Sequence, residues 1–233
     1  GILMYKHLFF DLDRTLWDFE KNSHEVLNDL FFKYNLVGKG IISVDEFIAR
    51  YKINNEKLWD LYRLNKIEKE KLRGERFKLT LEEYNILDDD LANQIGLDYV
   101  ELCPMKTHLF PFVHSTLSFL KSRYELHIIT NGFEEVQFKK LKHNNLLDYF
   151  NQIITSEQVG YKKPSKEIFS YSFKKTFSRP SDCLMIGDDL LADIHGSREV
   201  GMDQIYFNPH SLPHTDANIT HEIKCLSELE QIL

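Results

Sequence analysis

Asp11 and Asp13 stand two residues apart directly after the apolar run His7-Leu8-Phe9-Phe10, within Asp11-Leu12-Asp13-Arg14-Thr15. The run reads as a buried strand, so both acids fall where that strand ends. In an extended or just-turning backbone, residues i and i+2 point to the same side, which lets both carboxylates face one small volume. One can attack an electrophile while the other handles protons. Two like charges held that close repel unless they share a proton or a cation lies between them, so the pair implies a proton-sharing dyad or a metal site. The competing reading is structural, since Asp is a common turn and helix-capping residue.

Three further segments favour chemistry. Leu126-His127-Ile128-Ile129 runs into Thr130-Asn131-Gly132, an apolar stretch ending in a hydroxyl, an amide and a glycine. Gly160-Tyr161-Lys162-Lys163-Pro164-Ser165 places a lysine before a proline that opens a helix-like segment, and Leu184-Met185-Ile186-Gly187-Asp188-Asp189-Leu190-Leu191-Ala192-Asp193 is again an apolar run ending in acids. Three of the four pieces end a predicted strand, and in a doubly wound sheet the carboxyl ends of parallel strands are where ligands bind.

This order and spacing resembles the haloacid dehalogenase superfamily, whose motifs run DxDxT, a hydrophobic strand ending in Ser or Thr, a Lys, and GDxxxxD. The resemblance extends from about residue 8 to about residue 202 and takes in Gly196 and Gly201-Met202. Within the superfamily, Asp13-Arg14-Thr15-Leu16-Trp17-Asp18-Phe19, Thr130-Asn131-Gly132 and Lys163-Pro164 are similar to the YjjG/YfnB-type nucleotidase branch of the phosphatases with a helical cap. The resemblance implies an α/β fold, a doubly wound Rossmann-like parallel sheet with a smaller all-helical cap of the C1 type. It further implies a Mg²⁺-dependent phosphomonoester hydrolase acting through an aspartyl-phosphate, on nucleoside 5′-monophosphates with pyrimidines favoured.

Residue by residue, the resemblance and the chemistry assign Asp11 as the nucleophile. Asp13 becomes the group that protonates the leaving alkoxide and later takes a proton from water. Asp188 completes a Mg²⁺ site with the Asp11 carboxylate and, by resemblance, the Asp13 backbone carbonyl. Thr130 donates its hydroxyl to a phosphoryl oxygen, with the Asn131 and Gly132 backbone amides as further anion donors. Lys163 neutralises Asp11 and the transferring group, with Lys162 as a solvated neighbour. Asp193 is expected to orient Lys163 or a metal-bound water, Asp189 to cap the following helix, and Thr15 to tie the nucleophile loop together. Trp17 and Phe19 are either packing aromatics or a face for a base, and Trp17 is taken as substrate-binding. Arg73 and Arg76 are lesser candidates for substrate contacts, and His195 is read as surface.

The elements that must position these groups are legible in outline. From Asp18 to Leu87 the chain reads as helices: Asn22 or Ser23 capping one, a Ser43–Glu46 capping box before a second, and a third through Leu58 to Leu64. Beyond that, a helix over about 89–105 leads into alternating strands and helices, which implies right-handed βαβ units and a parallel sheet. The expected division is a core of residues 1–17 and 88–233 and a helical cap of residues 18–87, the cap moving to exclude water from the site.

Composition excludes several functions. A 42% hydrophobic, 13% aromatic content over 233 residues can fill a real core, which rules out disorder. A net charge of −7 with no basic block argues against a nucleic-acid polymer or a membrane surface as partner, and for a small phosphate ester. Cys103, Cys183 and Cys225 have no metal-ligand or redox spacing, and no apolar stretch of spanning length or signal peptide is read, so a cytoplasmic enzyme is expected. The oligomeric state, and whether Gly1–Leu3 before Met4 are native, stay open. Rival activities are a sugar-phosphate phosphatase or a phosphomutase of the same superfamily. A haloacid dehalogenase needs no second acid, and a receiver-like phosphoacceptor carries its motifs in another order.

Overall fold

The computed structural model describes residues 4–233; residues 1–3 lie outside the described residues. The chain divides into two compact units, one running up to Phe19 and resuming over Thr107–Leu233, the other Glu20–Lys106.

In the first unit, β1 (His7–Phe10), β2 (Glu125–Thr130), β3 (Gln152–Thr155), β4 (Cys183–Gly187), β5 (Asp203–Phe207) and β6 (His221–Ile223) form one sheet in the order β3-β2-β1-β4-β5-β6. Every pairing is parallel. All residues of β1 and β4 are buried, which is why these strands are apolar throughout rather than alternating: both faces of a parallel sheet are covered. From β1 the chain builds outward to β2 and β3 on one side, then returns to β4, β5 and β6 on the other. The order therefore reverses at β1, and the crevice at the carboxyl ends of β1, β2 and β4 is the switch point where such sheets bind ligands. The edge strand β6 was not read from the sequence, because its three residues are short, polar and mostly exposed.

Two histidines interrupt the buried strands. His7 Nδ1 and His127 Nε2 lie 3.0 Å apart and satisfy each other. Burial pushes the His127 pKa down to about 3, so that ring stays neutral and tolerable inside. On one face, Phe9, Ile129, Ile154, Met185 and Met202 pack with Ile168 and Phe169.

The second unit is built from α1 (Phe19–Lys33), α2 (Val44–Arg63), α3 (Lys69–Glu82) and α4 (Asp89–Leu102). Ser43 caps α2, its hydroxyl accepting from the Glu46 N–H at 3.2 Å. Other expectations need correction. Asn22 and Ser23 lie buried inside α1 rather than capping it, Ser23 Oγ standing 2.9 Å from Tyr99 Oη. The second and third predicted helices are one helix of 20 residues, Val44–Arg63, in which Asn54 and Asn55 are buried and Asn54 donates to Thr80 Oγ1. The unit's boundaries fall at 19/20 and 106/107 rather than 17/18 and 87/88. Tyr99 of α4 packs its ring 5.6 Å from Tyr51 and 5.5 Å from Phe77, and Asp98 accepts from Lys33 and Tyr34, which ties α4 to the other helices.

The remaining helices are α5 (Val113–Lys121), α6 (Glu134–His143), α7 (Ser156–Val159), α8 (Lys166–Thr176), α9 (Gly196–Glu199) and α10 (Leu229–Ile232), with a π-helical turn over Leu190–His195. Among the described residues no cysteine is in a disulfide, and no helix is long and apolar enough to cross a membrane.

Gly196 opens α9 against the loop that carries Lys163. A Cβ there would lie 2.9 Å from Pro164 Cα and 2.9 Å from Phe169 Cε2. Helix propensity alone favours Ala over Gly by about 1 kcal/mol, whereas overpacking costs ~1–3 kcal/mol. Gly196→Ala is expected to lower the Tm; an unchanged or higher Tm would show that this packing is loose.

Candidate active site

Asp11 follows β1 directly, and its N–H donates to Ile186 O at 3.0 Å, carrying the β1–β4 ladder one residue past the strand. The loop then folds back on itself: Leu12 O accepts from the N–H groups of Leu16 (2.9 Å) and Trp17 (3.0 Å), and Arg14 takes a left-handed backbone (φ 64°) to make the turn. Thr15, expected to tie the nucleophile loop to itself, instead donates from Oγ1 to Asp188 Oδ1 at 3.3 Å and ties the loop to the end of β4.

Lys163 reaches the same place from the loop after α7. Its buried Nζ donates to Asp11 Oδ1 (3.0 Å), Asp193 Oδ1 (2.6 Å) and Ile129 O (2.9 Å). Burial disfavours the ammonium, but the Asp11 and Asp193 carboxylates outweigh it and hold the lysine above its ordinary pKa. Asn131 sets the lysine's backbone: its side chain accepts from Lys163 N–H at 2.8 Å and donates to Lys163 O at 3.0 Å. Asp189 caps the π-helical turn, accepting from Leu191 and Ala192 N–H at 2.9 Å each. That turn drives Asp193 inward, where its second oxygen accepts from the Asp189 N–H.

Carboxylate oxygens of Asp11, Asp188 and Asp193 lie within 4.8 Å of one another. Burial, then the charges of Asp11 and Asp193, push the Asp188 carboxyl well above the ordinary carboxylate range. Burial and Asp11 push Asp193 up as well, against the pull of Lys163. With Asp13 the site holds four carboxylates against the two buried ammonium groups of Lys163 and Lys140, an excess of two negative charges when all six are ionised. The half-exposed Arg14 guanidinium opposes the charge on Asp188 from farther off. An all-oxygen donor set with that excess fits a hard divalent cation. Asp193 has both oxygens engaged, one by Lys163 and one by the Asp189 N–H, whereas Asp11 gives Lys163 one oxygen, which leaves Asp11 and Asp188 as the side chains to hold it.

Asp13 turns away from this cluster. Its Oδ1 accepts from Lys140 Nζ at 2.8 Å and its Oδ2 from Gln137 Nε2 at 3.0 Å, both residues lying on α6. The sequence reading missed these two. The usable signal was periodicity: Phe133, Gln137, Lys140 and Leu141 share the inward face, and a polar residue in a buried stripe is informative.

Three expectations change. Trp17 is fully buried, with Lys140 Nζ 4.2 Å above its ring, so it has no face left for a base. Phe19 carries the Arg14 guanidinium 4.4 Å over its ring. The Gly132 N–H, expected to meet an anion, donates to Thr130 Oγ1 at 3.1 Å, and the room left by glycine is filled by Gln137, whose amide carbon would stand 2.4 Å from a Cβ. Arg76 is buried inside the helical unit over the Tyr99 ring, and His195 is exposed, as expected.

The acids at the ends of β1 and β4 and the lysine between them sit at the switch point of a doubly wound parallel sheet, the arrangement of a phosphoryl-handling enzyme of the Rossmann-like class. The chain belongs to the haloacid dehalogenase-like hydrolase family, whose model matches residues 5–201. It is 33% identical to the HAD-hydrolase YfnB of Bacillus subtilis, covering 98% of this chain and 95% of that one. A crystal structure of YfnB bound to magnesium, which reveals interdomain movement in that protein, superposes with a TM-score of 0.87 at 32% identity over 99% of both chains. The pyrimidine 5′-nucleotidases PynA of Streptococcus pneumoniae (32% identical, 97% and 94% covered) and YjjG of Escherichia coli (30%, 97% and 96%) are likewise similar along nearly their whole length.

The raised Asp188 carboxyl gives a signed expectation for the cation-free protein. Between the unfolded carboxylate pKa of about 3.9 and the higher folded one, the folded state binds more protons than the unfolded. Stability is thus fully present below the former and lost as pH rises through the latter. In chelator, Asp188→Asn should flatten that fall and raise the neutral-pH Tm. Divalent cation at about 100 times its Kd should stabilise the parent by about 2.7 kcal/mol and the variant far less. A Tm shift with cation that is equal in both would place the ion elsewhere.

Proposed function

We propose that the chain is a Mg²⁺-dependent phosphomonoester hydrolase acting through an aspartyl-phosphate, with nucleoside 5′-monophosphates, pyrimidine ones foremost, as substrates. The observation that carries the chemistry is the grip of Lys163 on Asp11 and Asp193 beside Asp188. A carboxylate so held keeps its orientation while a charged phosphoryl group approaches. The nearly full-length similarity to two pyrimidine 5′-nucleotidases supports the substrate class.

In this reading Asp11 attacks phosphorus, the phosphoryl–oxygen bond to the leaving alkoxide breaks, and Asp13, entering the step protonated, delivers that proton to the alkoxide and is left as the carboxylate. Asp13 then removes a proton from the water that cleaves the acyl phosphate. Thr130 Oγ1 donates to a phosphoryl oxygen, and Lys163, its three N–H bonds given to Asp11, Asp193 and Ile129 O, fixes Asp11 and offsets the charge of the transferring group, since phosphoryl transfer leaves a protein little to do but position and stabilise charge. Asp11 and Asp188, with the Asp13 backbone carbonyl, would hold Mg²⁺, which when bound offsets the clustered negative charge and draws electron density from the phosphoryl oxygens. Trp17 is withdrawn as a stacking face, so pyrimidine preference must come from elsewhere in the chain.

Asp11→Asn should lower kcat at least about a thousandfold, since an amide is no nucleophile; clear residual turnover in preparations free of contaminating phosphatase rejects the covalent route. A panel of phosphomonoesters decides the substrate. Should hexose or triose phosphates exceed every nucleotide tenfold in kcat/KM, about 1.4 kcal/mol of transition-state preference, the nucleotidase reading falls and the phosphatase reading stands.

A further inference from the structure

We infer that Gln137 and Lys140 are positioning residues for the reaction. From one face of α6 they fix the Asp13 carboxylate by both oxygens, and Gln137 also presets Thr130 as a pure hydrogen-bond donor. The inference rests on the reading of Asp13 as the proton-handling group given above.

Asp13 sits at the start of a loop, where a carboxylate has rotamers to spare. Here Lys140 Nζ holds Oδ1 at 2.8 Å and Gln137 Nε2 holds Oδ2 at 3.0 Å, so rotation about either side-chain torsion breaks a bond. The donors stand three residues apart on a helix, one turn of one face, so they move as a unit. Lys140 is itself buried, and a buried lysine persists only when its charge is engaged. It has the carboxylate on one side and the Trp17 ring 4.2 Å away on the other, with Phe19 at 5.7 Å. Trp17 N–H and the Arg14 N–H to Trp17 O bond close the loop that carries Asp13, which makes the fully buried indole a floor for both.

Gln137 does a second thing. Its two amide hydrogens go to Asp13 Oδ2 and, at 2.8 Å, to Thr130 Oγ1. A carboxylate only accepts, so the amide's nitrogen must face it and the orientation is chemically forced. Thr130 Oγ1 also accepts from Gly132 N–H at 3.1 Å. With both lone pairs taken, the hydroxyl has only its O–H left to offer, which is what a phosphoryl oxygen requires.

The test compares Lys140→Met, Gln137→Met and Asp13→Asn on a nitrophenyl phosphate, whose leaving group departs without a proton, and on a nucleoside 5′-monophosphate, whose leaving group needs one. Lys140→Met and Gln137→Met should each lower kcat on the nucleotide about ten- to a hundredfold, with KM within about twofold. On the nitrophenyl ester Lys140→Met should release a burst of nitrophenolate, because phosphoenzyme forms normally and only its hydrolysis is slowed, whereas Gln137→Met, which also loses the bond to Thr130, should slow the burst itself. Asp13→Asn/Lys140→Met should be no slower than Asp13→Asn. Equal loss on both esters before the steady state in Lys140→Met, an unslowed burst in Gln137→Met, or additive losses in the double variant, overturns the inference. Two variants at independent positions guard against one failing to fold, and a melting curve identifies that failure. If Asp13→Asn is impaired while both others match the parent, positioning is wrong and the reading of Asp13 survives. If Asp13→Asn matches the parent, that reading itself has failed.

Discussion

The ammonium of Lys163 stands where the ends of three strands would otherwise repel one another. It joins the carboxylate after β1, the carboxylate on the turn after β4 and the last-but-one carbonyl of β2. Each acid alone would be an unpaired charge in a mostly buried place, and breaking a buried ionic network by deleting one partner typically costs ~3–5 kcal/mol. The Asn131 clamp on the lysine's backbone, the Asp189 cap and the π-helical turn that turns Asp193 inward all serve to bring this one cation and its partners into register. Stability at the switch point and competence for chemistry there depend on the same contact.

The two acids of the first motif end up in different surroundings although only one residue separates them. Asp11 continues the β1–β4 ladder into a crowd of like charges, where a cation is wanted. Asp13, past the turn at Leu12, is drawn to the polar stripe of α6 and meets only donors. The same residue type thus meets two different surroundings, clustered acids and a lysine for Asp11 and the donors of α6 for Asp13.

The helical insertion lies between β1 and β2 in the chain and has a core of its own. Phe31, Phe47, Tyr51, Phe77 and Tyr99 are all buried in it, with Tyr51 stacked on Phe77 at 4.6 Å. Because its packing is self-contained, its surface can change without altering the strand ends. A family can thus keep one phosphoryl chemistry while varying what it reads.

The sequence by itself determined the parallel α/β class, because apolar runs alternating with amphipathic helical stretches imply βαβ units, and strands buried on both faces must be almost continuously apolar. The motifs it shares with the haloacid dehalogenase family pointed to Asp11, Lys163, Asp188 and Asp193, which the structure brings together at the strand ends. The sequence read the insertion as helical but misplaced its end, because α4 is assigned by ring contacts with Tyr51 and Phe77 that no local pattern records. Only the tertiary structure decided that Trp17 is a floor and not a face, that the Gly132 amide serves Thr130, and that Gln137 and Lys140 belong to the site. Those outcomes depend on which helix face turns inward and what fills the space beside a glycine. Such facts are distances between residues as many as 127 positions apart, and local composition is silent about them.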